Sequence, residues 1–502
     1  MNLDSTAGEH VLKRRIGIGD AVFFILGNVI GIGIFLTPAT VAQQTANPYL
    51  FLGLWVLGGL IALAGAMSSA ELGIMMPHAG GDYVFLKKTY GLSTGFLYGY
   101  ISLLFSYTGS IAAMATAVVH YQGQTIYQTL LPIATSQGWD FLLPDPAATV
   151  FAFEWGGEVA YSVQAEHLIA VGLVLLLTCL NYLGITRSII FQKIATIAPA
   201  SILIFIGFMV LLQTLFLDEA SWDLLRQNMS YTSPTDIQFS GMATAMIGIF
   251  WTYAGWNVTL YLAEDIKNPE RVIPISMIIS LGLVTIVYIL FCFVLLAKIP
   301  FTEMIQPDPG DLTARAWGSL FGDWVGLVIS LVIAFLIFGG LNTTILSGSR
   351  VYLAMARDGI FFNQARKLHP RFESPYWSLW VQGLVAVVLI LVFQSFESLL
   401  KISTIFMLFL SLLTISCVFL LRYRMGQEHG LMHMKDRLLY RALGYPYFPA
   451  FYILCVVLIL GGELLGAGLT YAGTAAALVL FGYAMYYLWD YRRRKNNTRP
   501  PV

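Results

Sequence analysis

The stretch GNVIGIGIFLTP, Gly27 to Pro38, is apolar enough to lie in lipid yet carries Gly27, Gly31 and Gly33 in mid-run. Glycine weakens a helix interior by about 1 kcal/mol relative to alanine. Small residues four apart, such as Gly27 and Gly31, also let two membrane helices approach closely, so taken singly the stretch fits close packing and a break equally well. A second stretch, FWTYAGWN from Phe250 to Asn257, again sets a glycine and polar groups inside an apolar run. The two interruptions fall in the first and sixth apolar runs, corresponding places in two five-helix halves. Such a pair is the best sequence pointer to a transporter built from inverted repeats with a site at the bilayer midplane. Unwound backbone is tolerated in lipid only where it lines a cavity or is covered by protein. The pair therefore predicts a cavity between helices. The half-helix beyond the first break would point free amides and a positive dipole end at it, an arrangement suited to a carboxylate.

The rest of the chain fits this setting. Of 502 residues, 57% are hydrophobic, 14% aromatic and 11% charged, and the mean hydropathy is +0.73; this is a membrane composition and not a soluble one. A spanning helix takes about 20 apolar residues. Apolar runs with polar breaks predict helices over 17–43, 50–76, 91–119, 165–184, 189–217, 239–262, 273–297, 325–355, 377–394, 399–421, 449–468 and 471–490. The expected fold class is thus an all-α membrane protein with twelve transmembrane helices, leaving no room for a large soluble domain. The opening MNLDSTAGEHVLKRR precedes an apolar run too long for a signal peptide, so 1–15 is expected to stay as a cytoplasmic tail. Cys179, Cys292, Cys417 and Cys455 all lie within apolar runs and read as buried thiols, not as a disulfide frame or a metal cluster. No cofactor, metal or nucleic acid is expected; the lipid bilayer is the surrounding partner.

Sidedness comes from the basic residues. One set of loops collects Lys13, Arg14, Arg15, Lys87, Lys88, Arg187, Lys267, Arg271, Arg357, Arg366, Lys367, Arg371, Arg422, Arg424, Lys435, Arg437, Arg441 and the tail residues Arg492, Arg493, Arg494 and Lys495. The other keeps Arg226, Lys298, Arg315 and Lys401, and its long segment 121–162 has no Lys or Arg but contains Asp140, Asp145, Glu154 and Glu158. By the positive-inside rule both termini are cytoplasmic, in a multi-pass protein of the plasma (cell inner) membrane.

Motifs sharpen the reading. ELGIMMPHAGGDY, Glu71 to Tyr83, resembles the second-span exit and first inner loop of the amino acid, polyamine and organocation transporter superfamily. EDIKNPERVIP, Glu264 to Pro274, resembles that superfamily's loop after span six, and SRVYLAMARDG, Ser349 to Gly359, its exit from span eight. With GIGIF at Gly31 to Phe35, these occur in family order across most of the chain, and GWN at Gly255 to Asn257 is similar to the L-type amino acid transporter branch and its bacterial relatives. The resemblance implies a LeuT-like 5+5 inverted repeat with helices 1 and 6 broken. The first repeat covers 16–217 and the second 239–421, followed by an extra pair over 449–490 and a cytoplasmic basic tail at 491–502. It also implies a secondary active permease or exchanger, not an enzyme, that moves neutral L-amino acids by alternating access. H+ or Na+ coupling is left open.

Carried over residue by residue, the resemblance puts the substrate carboxylate at the backbone of Ile32, Gly33 and Ile34, and the amino group at carbonyls near Gly27, Asn28, Phe250 and Tyr253. Trp251 falls where relatives keep an aromatic gate, and Asn257 where they keep a polar group at the span-six break. The physics agrees, since amides suit an anion, carbonyls suit an ammonium, and neither needs a charged side chain in lipid. A packing tryptophan and a local helix cap are the plain alternatives for these two residues. The chain departs from the family in three places. Ile32 stands where many relatives carry serine, which favours small or branched neutral substrates. Pro199 stands where sodium-independent relatives often carry a lysine, with Lys193 reading as an interfacial residue. The segment 121–162 has no cysteine, so no disulfide-linked heavy chain is expected.

Thr343, Thr344 and Ser347 could supply hydroxyl ligands to a sodium ion, though such hydroxyls also bond their own helix carbonyls. Glu71, Glu264 and Asp265 sit at cytoplasmic helix ends, as a latch with Lys87, Arg350 or Arg357 or simply solvated. Glu463, inside GGELLGAG, is expected to serve an oligomer contact or packing, and His78 reads as a loop residue. Two rival functions are weighed. Uptake of cationic amino acids or polyamines would want acidic residues facing the cavity, and neither break contains one. A proton-translocating membrane enzyme subunit would want several ionisable residues in mid-span or a catalytic set, and neither is found.

Overall fold

A computed structural model describes residues 16–31, 33–76, 80–139, 145–155, 158–216, 218–232, 238–261, 263, 266–306, 312, 315–316, 323–437, 442–467 and 469–495. Ile32, His78, Glu264, Asp265, the tail 1–15 and the side chain of Lys193 lie outside the described residues.

The first run is two helices, α1 (Ile18–Val29) and α2 (Gly33–Thr45), with their axes bent by 48°. Helix α3 (Pro48–Met75) starts sharply because Asn47 caps it, its side chain accepting from the amides of Tyr49 and Leu50, with Pro48 in the first turn where no amide is needed. Then come a short α4 (Asp82–Tyr90) and a long α5 (Leu92–Gln137), which contains two π turns, Ser102–Ser106 and Val118–Gly123. Strands β1 (Thr149–Trp155) and β2 (Glu158–Gln164) form an antiparallel hairpin before α6 (Ala165–Tyr182) and α7 (Ile185–Phe216). After α8 (Glu219–Met229), the sixth run is again split, into α9 (Phe239–Tyr253) and α10 (Val258–Tyr261). The remainder is α11 (Pro269–Lys298), the single turn α12 (Phe301–Met304), α13 (Asp323–Arg357), α14 (Tyr376–Phe393), α15 (Phe396–Arg437), α16 (Tyr447–Ala467) and α17 (Leu469–Lys495).

Among the described residues eight helices are long and apolar enough to cross a membrane, and the bent pair α1 and α2 makes a ninth. This is a multi-pass, mostly helical membrane protein. Helices α7 and α17, 32 and 27 residues long, fall where the sequence places the fifth and twelfth spans. The expectation of an all-α chain is corrected by the β1–β2 hairpin. Its rows of β-branched and aromatic residues suit strands, and it rests on the C-terminal end of α14, where Tyr161 donates to the Leu391 carbonyl (2.7 Å) and the Gln394 side-chain amide donates to the Ser162 carbonyl (2.6 Å). The expectation of four buried thiols is corrected too: Cys292 and Cys417 are buried, but Cys179 lies on the outer face of α6 and Cys455 is half-buried.

The broken helices lie against each other, α2 on α9, while α11 packs on α1 and α3. Glycines make these approaches close. A Cβ on Gly58 of α3 would overlap the Ile249 side chain, and one on Gly248 of α9 would come within 2.8 Å of Thr37. Ion pairs staple the ends. Buried Glu71 pairs with Arg422 of α15 through two bonds of 2.7 and 2.6 Å and takes a third from the Ala442 amide at 2.6 Å; none of Lys87, Arg350 and Arg357 is its partner in these bonds. Lys87 instead meets Asp358 (2.7 Å), joining α4 to the end of α13, and the Tyr83 hydroxyl donates to the same carboxylate. Glu463 of α16 pairs with Lys401 of α15 and accepts from Thr244 of α9 (2.9 Å), so it ties three helices together within one chain.

Candidate functional site between the broken helices

The two breaks are built differently and touch. Helix α1 stops because Ile30 is extended (φ −74°, ψ 95°), and α2 restarts at Gly33. Helix α9 stops at extended Ala254 (φ −67°, ψ 155°), and Gly255 then takes φ +107°, a conformation that side chains disfavour. A Cβ there would also lie 2.5 Å from the Asn28 amide nitrogen. Asn28 uses that amide to satisfy a carbonyl freed by the other break, donating to Gly255 O at 2.9 Å. The Tyr288 hydroxyl of α11 lies 2.8 Å from Val29 O and 3.2 Å from Thr252 O, so one side chain serves the ends of both breaks. Thr37 of α2 and Thr252 of α9 share a hydroxyl bond of 3.0 Å.

Between the breaks lies a cavity of about 150 Å³. Asn28, Gly31 and Gly33 line it from the first break, and Trp251, Ala254, Gly255 and Asn257 from the second. One wall is α5, with Tyr98, Ser106, Tyr107, Ser110 and Met114; Thr344 and Ser347 come from α13, and Met407, Leu410 and Ser411 from α15. The wall is thus hydroxyl-rich with apolar Met114, Ile337, Met407 and Leu410 between. Helix α5 runs the length of the cavity. At one end Tyr98 reaches Asp82 of α4, and at the other Tyr121 stacks edgewise on Phe396, which in turn meets the Trp251 ring at 5.9 Å. With about 1.5 Å rise per residue, those ends are roughly 35 Å apart. Trp251, backed by Phe396, and Asp82 with its partners both line the cavity, toward opposite ends of α5.

Asp82 is buried, 9% exposed, and lines the cavity. Its Oδ2 accepts from the hydroxyls of Tyr261 (2.9 Å) and Tyr98 (3.4 Å) and from the Asn257 amide (3.4 Å). Burial pushes its carboxyl up to about 6, against the opposing pull of these three donors.

The structure brings together Asn28, Gly33, Trp251, Asn257, Thr344 and Ser347 on the main cavity. The side chains of the other described residues expected there, whose expected role is through the backbone, lie away from the cavity. Gly27 is buried within α1, and Ile34 is buried in the first turn of α2. Phe250 packs its ring on Tyr452. Tyr253 donates to Trp55 O (3.0 Å) in an aromatic cluster with Trp55 and Tyr288, because successive helix residues point about 100° apart and Trp251 already faces the cavity. Thr343 lines a second cavity of about 20 Å³ with Ser188, Gln192, Asn342 and Arg350. Both threonine hydroxyls donate to their own helix, Thr343 to Gly339 O (3.1 Å) and Thr344 to Gly340 O (2.9 Å). The sequence reading missed Asp82, Tyr98, Tyr107 and Tyr261. The signal was available in the Gly80-Gly81-Asp82-Tyr83 turn, where a positive-φ glycine pair (φ +116° and +49°) re-aims the chain into the bundle.

A hydroxyl-rich cavity between two interrupted helices of a multi-pass bundle defines a membrane transporter. The chain belongs to the amino acid permease family, whose model matches residues 16–488, and the motif resemblance is borne out. It is 27% identical over 481 residues to the serine/threonine exchanger SteT of Bacillus subtilis (strain 168), covering 95% of this chain and 97% of that one. It is 26% identical over 403 residues to the Asc-type amino acid transporter 1 of Mus musculus, covering 80% and 69% respectively. To the large neutral amino acids transporter small subunit 2 of Oryctolagus cuniculus it is 26% identical over 374 residues, covering 74% and 63%. Family and relatives are transporters, not enzymes.

Proposed function

We propose that the protein exchanges small neutral L-amino acids across the plasma membrane by alternating access, with the main cavity as the substrate site. The observation that carries this is the cavity between the two breaks, where the amide end of α2 and the carbonyl end of α1 face one space. In this reading Ile32, Gly33 and Ile34 offer backbone amides to the carboxylate. Carbonyls of the last turn of α1, from Gly27 onward, and of the α9 end around Phe250 and Tyr253 take the ammonium. Asn28 and Asn257 hold the breaks open, and Trp251 with Phe396 is the lid.

A volume of about 150 Å³ suits a guest near the size of benzene, which favours small side chains over large aromatic ones. Hydroxyls from Ser106, Ser110, Ser347 and Ser411 beside Met114 and Met407 suit a small polar or aliphatic side chain. The name of the serine/threonine exchanger agrees. A cationic substrate would draw on Asp82, whose Oδ2 already accepts three bonds. Sodium coupling would draw on Thr343 and Thr344, which face different cavities.

In the same proposal the chain has twelve spans in two inverted repeats, 16–217 and 239–421, with 449–490 outside them and both termini cytoplasmic. The packing of α2 on α9, the second half of one broken helix on the first half of the other, supports the inversion. No disulfide-linked heavy chain is invoked. The test is purified protein in liposomes preloaded with unlabelled serine, alanine, leucine, lysine or putrescine, with labelled substrate outside and imposed sodium or proton gradients. Counterflow with serine and alanine and none with lysine or putrescine is expected. Lysine counterflow alone would transfer the assignment to cationic substrates.

A further inference from the structure

A carboxylate lies where neither break supplies one. Asp82 enters the cavity floor through the Gly80-Gly81 turn, and a Cβ on Gly81 would overlap the Tyr261 ring, so glycine lets α4 close against α10. The three donors to Asp82 converge on one oxygen, and each comes from a different place: Tyr98 from α5, Asn257 from the sixth-run break and Tyr261 from α10. The Tyr98 and Tyr261 hydroxyls also lie 3.0 Å apart, so their two protons serve three close contacts in turn. Oδ2 is therefore a joint between the inner-loop helix, the long wall helix and a broken helix.

The joint is made without a cation. Other titratable groups facing Asp82 are Tyr107 of α5, Cys417 of α15 and Tyr452 of α16, all neutral near pH 7. On α4 itself Tyr83 and Lys87 are engaged with Asp358. From α13, Arg350 lines the second cavity, which shares Tyr261, Val258 and Ser347 with the first. Among the described residues Asp82 has no ion-pair partner. A lone carboxylate buried among neutral donors takes a proton far more readily than one in water. A proton on the carboxyl removes the charge that strengthens all three contacts, so the joint loosens.

Resting on the reading of the main cavity as the substrate site, we propose that Asp82 is the proton-binding joint of the cavity floor, shut while ionised and released when protonated. The proton comes from water on the α4 side and returns to it, so no other reactant is needed. Acid on that side then speeds exchange.

The experiment is counterflow of labelled serine in proteoliposomes with the pH equal on both sides, from 5 to 7.5. With the Asp82 carboxyl titrating near 6, the protonated fraction grows from about one tenth at pH 7 to about nine tenths at pH 5, so exchange should rise about tenfold. Asp82→Asn, neutral at every pH, should flatten the profile. Tyr261→Phe removes the shortest bond to the ionised form and should move the midpoint to higher pH. Wild-type exchange that is flat over this range, or an Asp82→Asn profile like the wild type, overturns the proposal. If Asp82→Asn fails to fold, an unmoved midpoint in Tyr261→Phe does so alone. Absence of counterflow with every amino acid tried overturns the substrate reading itself, an outcome distinct from transport with an unaltered pH profile.

Discussion

Arg422→Met offers a sharp test of how the helix ends at Glu71 are held. Glu71 is 1% exposed and accepts three bonds, two from the Arg422 guanidinium and one from the Ala442 amide. Arg422 lies with its guanidinium 3.7 Å from the Tyr445 ring centroid, and its side chain is 11% exposed. Removing the arginine leaves a buried carboxylate with the single amide bond, for which about 3–5 kcal/mol is the usual cost. Glu71→Gln leaves the cation stacked and partly reachable by water, so it should cost less, about 1–3 kcal/mol. The double variant leaves no unpaired buried charge and should lose well under the sum of the two, with a coupling energy of about 2 kcal/mol or more. Unfolding in mixed detergent micelles, followed by tryptophan fluorescence for all four proteins, gives each value. If the losses add to within about 0.5 kcal/mol, or if Arg422→Met alone costs under about 1 kcal/mol, the pair does not hold the helix ends and the reasoning fails.

Other perturbations read the site more directly. A Cβ on Gly33 would lie 2.6 Å from Thr252 Oγ1 and 2.9 Å from Thr252 Cα, which is backbone and cannot rotate away; Gly33→Ala should therefore cost about 1–3 kcal/mol in the same unfolding assay as well as weaken substrate binding. Normal stability with lost binding would show that the methyl meets only ligand. If Trp251 with Phe396 forms the proposed lid, Trp251→Ala should keep substrate binding and lose most uptake, whereas Trp251→Phe should retain a large part; equal, near-normal uptake by both at matched protein levels would make Trp251 a packing residue. Thr344→Ala should leave any sodium response of transport unchanged, since its hydroxyl is held by Gly340 O. Sodium-dependent uptake abolished by that change would establish an ion site on α13.

Much of this architecture is legible from apolar runs alone, and both breaks are legible from glycine and asparagine in mid-run. The reason is that lipid penalises unpaired backbone so heavily that exceptions stand out. What escapes such reading is direction. Phe250, Trp251, Thr252 and Tyr253 are neighbours in sequence, yet of these four only Trp251 and Thr252 line the cavity, because the phase of α9 is set by its packing on α2 and α16. Asp82 escapes for a different reason. It sits in a loop motif that reads as cytoplasmic, and only the glycine turn before it carries the carboxylate under the bundle. The hairpin escapes because its 7-residue strands sit in a segment read simply as an outer loop.

The π turn at Ser102–Ser106 sets which side of α5 faces the cavity. A π turn holds one residue more than an α-helix would use, and one residue is about 100° of rotation. Tyr98 before the turn and Tyr107, Ser110 and Met114 after it all line the same cavity, an alignment that depends on this insertion. Deleting a single residue there would let the helix close into a regular α-helix with the serines still on the tyrosine's side, whereas keeping every residue but winding the turn as α-helix would swing them away by about 100°. A homologue shorter by one residue at this point would therefore present the same wall on a regular helix, while one of equal length without the π turn would present a different wall to its cargo with an unchanged hydropathy profile.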